Sequence, residues 1–135
     1  MEQGLFLDSA SDSIRALTAR LAAAAPAFDD AAWEHVEGSQ WSPAGIVQHM
    51  ILANEPYLAK LPSVVAAAPP GSAADVSHTC VGRLLLGFAG PEGNAPAPRA
   101  MHPGPGPYGR EVIKRWTAQQ EAILALIAAM SMRKK

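Results

Sequence analysis

The chain has 135 residues, 49% of them apolar and 17% charged, a balance that fits one globular core and excludes a disordered chain or a second ordinary domain. A formal net charge of −1 supplies no basic field for nucleic acid, and no apolar run reaches the ~18 residues needed to span a bilayer. The single cysteine, Cys80, excludes an internal disulfide and a cysteine-rich zinc cage, and is read as a small hydrophobe.

Leu7, Ala10, Ile14, Leu17, Leu21, Ala24 and Phe28 recur at spacings of three and four, which predicts a first helix with one buried stripe. Pro26 ends or distorts it. A linker through Asp29, Asp30 and Gly38 leads to Trp41-Ser42-Pro43, where Ser42 can cap the helix start and Pro43 presets its first turn. In this second helix Ile46, Met50, Ala53, Tyr57 and Leu61 continue the helical period, with His49 at the edge of that stripe. Pro56 predicts a kink or a break, and Pro62 with Pro69-Pro70-Gly71 closes the segment.

A shorter helix is expected from Ser77 to Ala89, carrying Val81, Leu84, Leu85 and Phe88 on one face. From Pro91 to Pro107 the chain is rich in Pro, Gly and Ala and reads as an irregular surface crossover. The last helix is expected from Tyr108 to Met130, with Val112, Trp116, Gln119, Ile123, Leu126, Ile127 and Met130 aligned. Glu111 and Arg115 are spaced as an exposed pair, and Arg133-Lys134-Lys135 as a solvated end. No strand has a clear candidate, so the predicted class is all-α, one domain over residues 1–135.

Gly104-Pro-Gly106-Pro-Tyr-Gly109 matches the spacing of a dinucleotide fingerprint, but a phosphate cradle needs a preceding strand inside a βαβ unit. The approach here is Ala-Pro-Arg-Ala-Met-His-Pro, so a loop-to-helix turn is the better reading. His78 and His102 read as surface residues, His35 in the linker near Trp33 as a helix-flanking polar residue, and no two histidines share ligand spacing on one helix. Asn54 needs a polar partner, near a cavity or on another helix, with the second favoured, while Glu55 points outward. Trp41 and Trp116 can wall a pocket between helices or anchor the core, and their stripes favour the core; Tyr57 has the better claim to a cavity.

The run Trp41-Ser42-Pro43 with Ile46, Val47 and His49, then Tyr57 and Leu58, resembles the DinB-like (damage-inducible, YfiT-like) superfamily. A weaker likeness extends through Arg110-Glu111-Val112-Ile113-Lys114-Arg115-Trp116. The resemblance implies a bundle of three long helices and a short connecting one, with the fourth bundle helix missing or supplied by a partner chain. It also implies a divalent metal held by three histidines, of which only His49 can be carried over. After Met130 the sequence reads Ser-Met-Arg-Lys-Lys, and the His-x-x-x-His pair of the family is not there.

One imidazole would hold zinc, nickel or iron weakly, whereas a catalytic centre usually needs about three protein ligands. Two functions follow as expectations. One is a stress-related bundle that binds a small molecule or another protein around an incomplete metal site. The alternative is a metal-dependent thiol transferase or hydrolase with His49 as one ligand. An open groove would leave apolar side chains wet at ~1.5–3 kcal/mol each, so a homodimer is expected, or the short helix in the gap. The acidic start Met1-Glu2-Gln3 lacks the basic region of a secretory signal, which points to the cytoplasm, with no nucleic acid or membrane partner.

Overall fold

The computed structural model describes residues 3–68 and 96–132. Four α-helices account for most of them: α1 Gln3–Ala24, the short α2 Asp30–Glu34, α3 Pro43–Ala67 and α4 Glu111–Met132. No strand occurs among the described residues, where the only β pairing is an isolated bridge between Glu37 and Gln40. The all-α class is therefore as expected. None of the described helices is long and apolar enough to cross a membrane. The expected helix from Ser77 to Ala89, His78, Cys80 and the basic end at 133–135 lie outside the described residues.

α4 is the central element, packing against α3 on one side and α1 on the other. Along α1 the residues turned inward are Leu7, Ile14 and Leu21, one every seven positions, with Ala10 and Thr18 half-buried between them. That is a narrow seam, which is what a helix buries when a single long neighbour covers it. Leu17, placed on the stripe by its spacing, stands 52% exposed, and Ala24 and Phe28 are exposed as well. Pro26 acts as expected, since α1 tightens into a 3₁₀ turn over Ala25–Ala27 and stops.

α3 begins as its sequence dictates. Ser42 Oγ accepts the Gly45 N–H at 2.9 Å and the Ser42 carbonyl takes the Ile46 N–H, so the first turn is capped with Pro43 inside it. The helix then runs without interruption through both Pro56 and Pro62. The expected break does not occur, and Pro62 does not close the segment. Both prolines are solvent-exposed, where water can serve the carbonyls that their missing N–H groups leave free.

The buried seam of α3 is Ala44, Val47, Ile51 and Val65, with Asn54 and Leu58 half-buried between them. It lies one position off the expected stripe, of which Met50, Ala53 and Leu61 are half-buried while Ile46 and Tyr57 are exposed. α3 thus carries two apolar strips, and only the first faces α4. Val112 and Trp116 of α4 meet Val47 and Ile51 in a core that also holds Ala25 and Trp33. Across the same seam Asn54 Nδ2 donates to Gln119 Oε1 and Gln119 Nε2 donates to the Ile51 carbonyl, each at 3.1 Å. Asn54 therefore bonds another helix, the favoured of its two readings.

α4 starts at Glu111 rather than Tyr108, because the residues before it form a turn fixed by other contacts. The Glu111–Arg115 pair is replaced by Glu111 with Lys114 at 3.2 Å and Arg115 with Glu55 at 4.0 Å. All four side chains are more than half exposed, so neither pair adds much stability.

Ile51→Ala should cost about 2–5 kcal/mol of unfolding free energy, whereas Leu17→Ala should stay within about 0.5 kcal/mol. Urea denaturation of the two variants measures both. Equal losses would show that α1 buries the wider stripe after all.

Candidate functional site

α2 is a five-residue helix within the stretch read as a linker, and it organises one end of the molecule. Asp29 caps it, its side chain accepting the Ala32 N–H at 2.7 Å. Trp33 is 2% exposed, and its indole N–H donates to the Gly109 carbonyl at 2.8 Å. The neighbouring Glu34 carboxylate accepts the N–H groups of Tyr108 at 3.0 Å and Gly109 at 2.7 Å. Gly109 lies at φ +65, a conformation that side chains other than glycine rarely adopt.

The turn that matched a dinucleotide fingerprint therefore points two of its N–H groups at an internal carboxylate, which occupies the place a phosphate would need. Arg110 completes this junction. Its guanidinium donates to the carbonyls of Ala25 at 2.9 Å and Phe28 at 2.6 Å and stacks 4.6 Å from the Trp33 ring centroid. The Tyr108 hydroxyl bonds the Gly104 carbonyl. Desolvation, and then the Glu34 carboxylate, push the Tyr108 phenol above its ordinary value of 10.0.

The largest opening among the described pockets is a cleft of about 740 Å³ between the end of α1, α2 and the first turns of α3. Leu21 and Ala24 wall it from α1, Trp33 from α2, and Ile46, Val47 and Met50 from α3. Phe28 and Trp41 add aromatic surface, and His35, Glu37 and Gln40 supply the polar groups. Ile46 and Met50 belong to the second apolar strip of α3. The first two residues of the spacing seen in the sequence thus face this cleft rather than the helix seam.

Trp41 is half-buried and lines the cleft, while Trp116 is a core residue at 4% exposure. Tyr57 is 61% exposed and, like Asn54, is not part of the cleft wall. Trp33 is the site residue that sequence reasoning passed over, because a single turn of helix is too short to show a period. The signal available was Asp29, an N-cap residue, followed four positions on by a tryptophan.

His49 lies half-buried beside the crossover. Its Nδ1 is 2.7 Å from the Met101 carbonyl, so that nitrogen must donate and Nε2 carries the lone pair. Its ring packs against Trp41 at 4.9 Å between centroids, and His102 meets the same tryptophan edge-on at 5.6 Å. His102 in turn places Nε2 2.7 Å from the Ala97 carbonyl. Gly45 leaves room for the Ser42 cap, because a Cβ there would sit 3.1 Å from Ser42 Oγ.

A backbone carbonyl behind Nδ1 is how metal-binding imidazoles are commonly oriented. Among the described residues, however, no group of three or more His, Cys, Asp or Glu side chains converges. These residues do not fit a three-ligand centre. Comparison with family models, with curated proteins and with solved structures gives no match.

A phenol held neutral by folding keeps its proton more tightly in the folded chain than in the unfolded one. The contribution of Tyr108 is then complete below about pH 10 and is lost as pH rises through its folded-state value. Urea midpoints measured against pH should fall above about pH 10, and Tyr108→Phe should flatten that fall. An unchanged decline in the variant would assign the alkaline limit to other groups.

Proposed function

We propose that this chain is a DinB-like helical bundle that works as a small-molecule-binding module, with its ligand in the cleft between α1, α2 and α3. The observation that carries the reading is the cleft itself. Its volume of about 740 Å³ falls within the ~300–1,000 Å³ usual for small-molecule sites. Its walls are apolar and aromatic with a few polar groups, the composition that holds an apolar body and orients it. Walls tied through Trp33, Glu34 and Arg110 make the opening pre-formed, which lowers the ordering cost of binding. A homodimer in the cytoplasm belongs to the same proposal, because Leu17, Tyr57 and Val64 leave apolar surface for a second copy to cover.

The neutral fluorophore phenylnaphthylamine tests the reading. Saturable binding to one site per chain is expected, with quenching of tryptophan emission. Ala24→Trp, an exposed position that projects into the cleft wall, should abolish binding while leaving the thermal midpoint within a few degrees of the parent. Binding unaffected by this substitution would place the ligand elsewhere.

One observation favours a second reading, a metal-dependent thiol transferase or hydrolase with His49 as a ligand. The bond from Nδ1 to Met101 leaves Nε2 free to coordinate. Protein purified without chelator should then hold a transition metal in stoichiometric amount, lost in His49→Ala. Metal absent from both samples would remove this reading.

A further inference from the structure

The cleft is apolar, but its electrostatics are one-sided. Glu37 is the single formally charged residue among those that line it, and no Lys or Arg does. Arg110, which stacks on the lining residue Trp33, is already committed. Its guanidinium serves the carbonyls of Ala25 and Phe28, lies 3.5 Å from Asp30 and covers the Trp33 ring at 4.6 Å. Asp30 offsets part of that charge. The C-terminal end of α1 and the N-terminal end of α3 both reach the cleft, and their opposite dipole ends offset one another. What remains is the carboxylate of Glu37, the imidazole of His35 and the negative π faces of the aromatic wall.

Glu37 is also held in place. Gln40 N–H donates to the Glu37 carbonyl at 3.0 Å, and Gly38 at φ +59 supplies the left-handed residue that lets this turn close between α2 and α3. The carboxylate therefore hangs from a fixed turn rather than a loose loop.

We infer that the cleft selects a cationic apolar ligand, an aromatic or aliphatic body carrying a protonated amine. The body lies against Trp41, Val47 and Met50, and the ammonium is directed to Glu37. The inference rests on the reading of this cleft as the ligand site. An anionic ligand of the same body would meet Glu37 as a like charge and find no Lys or Arg to compensate, the His35 imidazole being the one basic group in the lining.

Two probes with the same ring system and opposite charge separate the possibilities: naphthylmethylamine and naphthylacetate, titrated calorimetrically at neutral pH and low salt. The amine is expected to bind about fivefold more tightly, the scale of one exposed charge pair with a cation–π contribution, and added salt should narrow the gap. Glu37→Gln should bring the two probes to equal affinity. Equal affinities in the parent protein, or a preference for the acid, overturn the charge selection and leave the apolar site standing. A preference for the amine that survives Glu37→Gln overturns the assignment to Glu37. Failure of both probes and of phenylnaphthylamine to bind overturns the ligand-site reading and this inference with it.

Discussion

The arrangement depends on how the start of α4 is tied to the α1–α2 corner. Three consecutive residues, Tyr108, Gly109 and Arg110, exchange hydrogen bonds with Ala25, Phe28, Trp33 and Glu34, 74 to 85 positions earlier in the chain. Four of these contacts are charge-assisted, two in each sense. A carboxylate takes backbone N–H groups, and a guanidinium gives to backbone carbonyls. Such bonds are stronger than neutral ones, and they satisfy main-chain groups that the end of α1 and the start of α4 would otherwise leave open. The corner also presents Trp33 to the core. One junction thereby fixes both the packing of α4 and the floor of the cleft.

A second polar clasp works further along. Asn54 and Gln119 are matched amides on facing helices, and the Ile51 carbonyl receives the remaining donor. In a seam otherwise built from Val47, Ile51, Val112 and Trp116 this pairing sets which turn of α3 lies beside which turn of α4. The register puts Trp41 between the cleft and the crossover. The same indole borders the cleft on one side and meets His49 and His102 on the other.

Much of the helical layout was legible because long amphipathic runs and a Ser-Pro start are strong local signals. The α3 N-terminus and the distortion at Pro26 follow from chemistry within a few residues. The errors have a common source, which is that periodicity reports apolar strips without saying what covers them. Leu17 and Ile46 sit at helical spacings yet face solvent or the cleft, since among the described helices α4 is the only long neighbour of either helix along its seam. The missing donor of a proline inside a helix predicts a break, but an exposed carbonyl can do without that donor. The cleft depends on Trp33 and Glu34, whose roles arise from partners far away in the sequence and leave no pattern nearby. His49 was placed by resemblance, and its actual neighbours are a carbonyl and an indole from two other segments.

The two prolines of α3 have a mechanical corollary. Pro56 and Pro62 both fall in its second half, so the amide rungs removed are those to the Leu52 and Leu58 carbonyls, while the turns from Pro43 to Ile51 keep theirs. α3 is graded along its length, a rigid stem where it borders the binding surface and a more compliant one toward Ala67. Bending stress arriving from the distal end would be absorbed before it reached the walls that hold a guest.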